Sequence, residues 1–132
     1  LCAASIFDIK WHELGSDTDW NSLNISSFEN EVCENMGLVD EIIPRYRSTY
    51  FNHIFGGAYG AGYYGYLWAE VIDRDLFEFW ESKGLWNHEN AVKFRKTFLE
   101  KGGSEEPMTL YREFCGEGAN PDPDALLRAH GL

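Results

Sequence analysis

The chain has 132 residues, enough for one domain with a modest core. Its composition, 44% hydrophobic and 16% aromatic, excludes a disordered chain. Asp and Glu total 22 against 11 Lys and Arg, a formal charge of −11, which excludes nucleic acid as a partner because phosphate binding needs a basic face.

Residues 1–14 are apolar and read as a buried helix or strand ending near His12-Glu13-Leu14. Residues 15–27, rich in Ser, Asp and Asn, read as a loop. A helix is predicted over 28–36, capped by Ser26 or Ser27 and stopped by Gly37. Residues 38–43 are short and apolar, and Pro44 opens a stretch to Phe51 whose form the pattern leaves undecided. The clearest element follows the glycines: Tyr64, Leu67, Trp68, Val71, Ile72, Phe79 and Trp80 recur at helical spacing, with Gly84 as the stop. Further helices are predicted over about Glu89–Lys101, closed by Gly102 and Gly103, and Pro107–Phe114, where Pro107 suits a first turn. Pro121 and Pro123 precede a last short helix from Asp124. No strand pattern follows residue 50, so the fold class is all-α.

Cys2, Cys33 and Cys115 are far apart, odd in number and without a CxxC spacing. They predict reduced thiols and a cytoplasmic protein, not a disulfide framework or a thiolate zinc site. No apolar run reaches the ~18 residues that span a bilayer, and no signal peptide is visible. The chain starts at Leu1 without Met, inside an apolar stretch, and ends on a natural-looking helical turn. The expectation is a single fragment, residues 1–132, from the C-terminal part of a longer protein.

Residues 53–68 carry the chemistry: His53-Ile-Phe-Gly-Gly-Ala-Tyr59-Gly-Ala-Gly-Tyr63-Tyr64-Gly-Tyr66-Leu-Trp68 holds five glycines and four tyrosines. Gly60-Ala-Gly62-Tyr-Tyr-Gly65 matches GxGxxG, but a nucleotide site needs a strand before it and a second strand after it. With a helix starting near Tyr59, at ~100° per residue, Tyr64, Trp68 and Val71 point to the core. Tyr59, Tyr63, Tyr66 and Glu70 then share another face, a stripe of hydroxyls. Glycines at 60, 62 and 65 would each cost up to ~1 kcal/mol inside such a helix, so they imply mobility or close backbone approach. His53, beside this cluster, is a candidate hydrogen-bond donor. His12-Glu13 starts like HExxH, but Ser16 stands where the second histidine would be, so His12 is not read as a zinc ligand. Arg45 and Arg47 suit a carboxylate or a surface ion pair. His88 and His130 are assigned no role.

The same stretch resembles the C-terminal region of the thimet oligopeptidase, oligopeptidase A and peptidyl-dipeptidase family of zinc metallopeptidases. Pro44-Arg-Tyr-Arg-Ser-Thr-Tyr-Phe51, Asp73-Arg-Asp-Leu-Phe77, Phe94-Arg95, Gly102-Gly-Ser104, Asp124-Ala-Leu-Leu127 and Gly131-Leu132 also fit. The six-residue step from His53 to Tyr59 looks more like the bacterial peptidyl-dipeptidase branch. The resemblance implies the helical C-terminal part of the catalytic lobe of a zincin-like peptidase that cuts short peptides. It implies that Tyr59 and Tyr66 face the scissile carbonyl, a tyrosine hydroxyl donating to the developing oxyanion. It further implies that His53 bonds the peptide backbone, that Tyr63 helps bind substrate, and that Gly56, Gly57 and Gly60 let the loop close on it.

The family's zinc helix carries HExxH, and this chain contains none. The resemblance therefore implies zinc in the full-length enzyme and no metal or cleavage in this segment alone. Its partners are then peptide substrates and the missing N-terminal part, with no membrane. A large apolar patch would be exposed, the chain would dimerise, or the loop near 54–62 would be disordered, where that part is absent. The alternative is a stand-alone acidic helical module that binds peptides without catalysis.

Overall fold

The computed structural model describes all residues, Leu1–Leu132, and none lies in a strand. The chain is all-α, as the sequence predicts. Seven helices follow in order: α1 Cys2–His12, α2 Ile25–Asn35, α3 Asn52–Phe55, α4 Gly65–Ser82, α5 His88–Phe94, α6 Pro107–Cys115 and α7 Asp124–Ala129. A 3₁₀ turn, Ser48–Tyr50, precedes α3, and α5 runs on into a π turn, Arg95–Leu99, closed by the Glu100 amide on the Arg95 carbonyl at 2.9 Å. No helix is long and apolar enough to cross a membrane. Two compact units are present, Leu1–Trp68 and Ala69–Leu132, and α4 begins in the first and continues in the second.

Two sequence readings need correction. The cap of α2 is Asn24, whose side chain accepts the Ser27 amide at 2.9 Å, so the helix starts at Ile25 and neither Ser26 nor Ser27 caps it. The larger one concerns α4, which starts at Gly65 and not near Tyr59. Residues 59–64 are therefore not helical, and a 100° spacing does not order their side chains. Tyr64, expected in the core, is 56% exposed, while Tyr63 is buried at 7%. Trp68 also lies half in water, and only Val71 of that predicted core row is buried. The glycine cost dissolves with it, since Gly60 and Gly62 lie outside the helix and Gly65 is its first residue.

The first unit has a core of Ala4, Phe7, Val32, Phe51, Ile54 and Tyr63, flanked by Trp11 and Phe28 with ring centroids 4.3 Å apart. Helices α1 and α2 supply one side, and the segment 46–63 is laid across them. Glu29 on α2 ties that segment down. Its buried carboxylate accepts the Ser48 amide at 2.6 Å and the Arg47 Nε–H at 2.6 Å. Arg47 thus takes the ion-pairing role open to it in the sequence. Burial pushes the Glu29 carboxyl up, but the Ser48 amide and the Arg47 guanidinium outweigh it and hold the group below its ordinary value of 4.5.

That depression fixes the sign of a pH dependence. A carboxyl that titrates lower when folded stabilises the fold above its unfolded pKa and loses that contribution as pH falls through the folded value. Urea unfolding at stepped pH is expected to show stability falling below the ordinary carboxylate range. In Glu29→Gln the fall should be smaller, and matching pH slopes for the two proteins would contradict the assignment.

In the second unit Leu110, Tyr111, Phe114 and Ala125 are buried. The rings of Phe79, Trp80, Phe94 and Phe98 surround Phe114. Arg128 grips both oxygens of Glu78, at 2.9 and 2.6 Å, and Asp122 at 2.8 Å, which fastens α7 to α4. The Tyr111 hydroxyl donates to Asp75. Burial, then that bond, pushes the phenol well above its ordinary value.

Candidate active site

Helix α3 is four residues long, and it exists to present His53. Phe51 before it and Ile54 within it are buried anchors. Between them Asn52 and His53 turn outward, His53 half-buried. The chain then leaves α3 at Gly56, whose amide donates to the Asn52 carbonyl at 2.6 Å. A Cβ at Gly56 would sit 2.9 Å from that carbonyl oxygen, a backbone atom that cannot yield. Gly57, at φ +152°, carries the chain on toward Tyr59.

Three tyrosines gather around His53. Ring centroids lie 5.0 Å away for Tyr59, stacked, 5.2 Å for Tyr63, edge-on, and 5.8 Å for Tyr66. Tyr63 and Tyr66 are 5.1 Å apart. All four candidates singled out by sequence and resemblance are therefore brought to one place. They are not equivalent. Tyr59 and Tyr66 are 62% and 54% exposed. Tyr63 lies underneath, its ring against Phe51 at 5.1 Å and Tyr46 at 6.3 Å. The expected stripe of three hydroxyls is thus a pair standing on a buried ring. Burial pushes the Tyr63 phenol up, Tyr46 adds to this and Arg45 opposes it.

The loop from Tyr59 to Tyr63 is held by a residue that the sequence reading passed over. Asp8 on α1 is fully buried, and its Oδ1 accepts the Ala61 amide and its Oδ2 the Tyr63 amide, both at 2.8 Å. His12, one turn on, brings Nδ1 to 2.9 Å from Asp8 Oδ1 and 2.7 Å from the Asp8 carbonyl. Between the two amides the backbone turns through Ala61 at φ +55°, and the Gly62 amide returns to the Tyr59 carbonyl at 3.2 Å. The loop, one of the places where disorder was expected, has a defined path. A sequence signal existed: Asp8 sits in an apolar run, four residues after Ala4 and three before Trp11, on the face a helix would bury. A carboxylate there needs a partner.

No group of three His, Cys, Asp or Glu side chains converges to hold a metal ion. His12 pairs with Asp8, and His130 lies 3.5 Å from Glu70.

Comparison with known proteins matches the description Peptidase family M3 over residues 2–132. Dipeptidyl carboxypeptidase of Escherichia coli (strain K12) is 38% identical over the whole chain, which covers 19% of that relative. Oligopeptidase A of the same organism is 46% identical over 62% of the chain and 12% of its own length. Saccharolysin of Saccharomyces cerevisiae is 33% identical over 96% of the chain and 17% of its length. The chain thus spans about a fifth or less of these relatives. No solved structure matches it.

Proposed function

Since the chain belongs to peptidase family M3, we propose that it forms the substrate-facing C-terminal part of a longer metallopeptidase that hydrolyses short peptides. One observation carries this: two exposed tyrosines beside His53, standing on a buried third ring. A bound peptide would lie across them. The Tyr66 hydroxyl donates to the scissile carbonyl oxygen as negative charge develops on it, with Tyr59 beside it. His53 bonds the peptide backbone, Tyr63 is the platform that sets the distances, and Gly56, Gly57 and Gly60 let the backbone approach the substrate. We assign zinc to the rest of the enzyme, because the family's HExxH helix has no counterpart in this sequence.

The exposed apolar surface supports the assignment to a longer chain. Trp86 is 96% exposed, and Ile42, Ile43 and Phe77 are at least half exposed. A hollow of about 540 Å³, lined by Trp11, His12, Trp20, Ile25 and Phe55 among others, opens on the first unit. The three free thiols suit a reducing cytoplasm.

The test is complementation. The chain alone is expected to cleave nothing, and mixed with the remainder of its enzyme it should restore zinc-dependent hydrolysis of a short peptide. Cleavage by the chain alone, or an inactive but assembled mixture, would overturn the proposal. Peptide binding without any gain of hydrolysis would favour the non-catalytic module instead.

A further inference from the structure

We propose that Asp8, braced by His12, is a positioning residue for this site: it sets the aim of the tyrosine hydroxyls by fixing the turn from Tyr59 to Tyr63. The proposal rests on the tyrosine reading above and adds a residue to it. Burying a carboxylate is costly, and an apolar side chain of similar volume would pack α1 as well or better. The charge is offset here by the Ala61 amide, the Tyr63 amide and the His12 ring, whose Nδ1 lies 2.9 Å from Oδ1 while its hydrogen bond goes to the Asp8 backbone carbonyl at 2.7 Å. Two of the three belong to the loop. What the charge secures is therefore loop geometry more than packing of the helix that carries it.

The connection to the hydroxyls is short. Asp8 Oδ2 holds the Tyr63 amide, and the ring on that same residue touches both His53 and Tyr66. Asp8 Oδ1 holds Ala61, in the turn that Tyr59 opens. Releasing the carboxylate frees both ends of the turn at once.

His12 makes the latch stiff. Its Nδ1 hydrogen points at Asp8, so the ring cannot swing away without giving up that bond. Its other nitrogen faces Gly60, where an added Cβ would lie 2.6 Å from Nε2 and 3.1 Å from Cδ2. A flexible side chain would yield to such a methyl, but this one is pinned. A side chain at Gly60 is thus disfavoured on this side too, because the loop rests directly on the histidine.

Native-state hydrogen exchange on the full-length enzyme tests the latch without reference to catalysis. In Asp8→Asn one acceptor oxygen becomes an NH₂ facing a backbone N–H. Exchange at Ala61 or Tyr63 should accelerate by at least about tenfold, while the amides of Val32 and Thr97 keep their protection. His12→Ala, at a residue on the surface, keeps the falsifying arm open should Asp8→Asn fail to fold; it should accelerate the same two amides by less. Gly60→Ala should accelerate them in the parent chain and add nothing in the His12→Ala background. Unchanged exchange at both amides in Asp8→Asn, or Gly60→Ala acting equally in both backgrounds, overturns the latch.

In the full-length enzyme Asp8→Asn should lower kcat at least about tenfold, with KM changing less, because a misaimed donor is lost chiefly in the transition state. If Tyr66→Phe is slow and Asp8→Asn has the parent kcat, the positioning role is wrong and the tyrosine reading survives. If Tyr66→Phe is as fast as the parent, the tyrosine reading itself fails and the positioning role falls with it.

Discussion

Tyr66→Phe in the full-length enzyme is expected to lower kcat by about 10²-fold or more and to leave KM nearly unchanged. The substitution removes one oxygen and keeps the ring, so the packing against Tyr63 and His53 stays. Tyr66 sits in the first turn of α4 and is 54% exposed. A neutral donor contributes little to a ground-state carbonyl, which water solvates well, and much more to an oxyanion sheltered by substrate. Losing one such donor costs about 2.7–4 kcal/mol in the transition state. Tyr64→Phe is the control: Tyr64 is as exposed as Tyr66 and is absent from the ring contacts around His53. Steady-state kinetics on one short peptide decides the matter. A Tyr66→Phe enzyme with parent kcat, or a Tyr64→Phe enzyme equally impaired, removes the role.

Phe114→Ala is expected to unfold the second unit near room temperature. Phe114 is 1% exposed and is the shared neighbour of Phe79, Phe94 and Phe98 at 5.5–5.7 Å, with Trp80 at 6.4 Å and Lys93 over its face at 5.5 Å. Truncating a buried phenylalanine costs about 3–5 kcal/mol, because the cavity cannot close fully. Edge-to-face pairs contribute roughly 0.5–1.5 kcal/mol each beyond the buried area. A unit of this size has about 3–10 kcal/mol of stability in all. Phe114→Leu keeps most of the volume and should remain folded. Thermal unfolding followed by near-ultraviolet circular dichroism compares the two. An unchanged midpoint in Phe114→Ala would show that the ring is not the centre of that core.

The helices were legible because their periodicity is long and their stops are marked. Gly37, Gly84 and Gly102 stand where the helical stretches end, all at positive φ, and Pro107 opens α6. The site residues were legible as residue types: His53, Tyr59, Tyr63 and Tyr66 do meet. Their arrangement was not. Placing the helix start at Tyr59 rather than Gly65 exchanged the environments of Tyr63 and Tyr64, adjacent residues of which the buried one, Tyr63, donates its N–H to Asp8. That bond joins residues far apart in sequence, and no local pattern encodes it. The Asn24 cap was missed for a simpler reason, since Asn24, Ser26 and Ser27 are all competent caps and only the helix register chooses among them.

Asp8 and its loop partners are 53 and 55 positions apart along the chain. Chains grow at about 5–20 residues per second, so α1 is made several seconds before the amides that bond its buried carboxylate exist. In that interval the carboxylate must stay hydrated, and the inner face of α1 cannot close over it. Stable burial of α1 is thereby deferred until residue 63 has been made, and the arrival of the tyrosine loop becomes the event that completes the first unit.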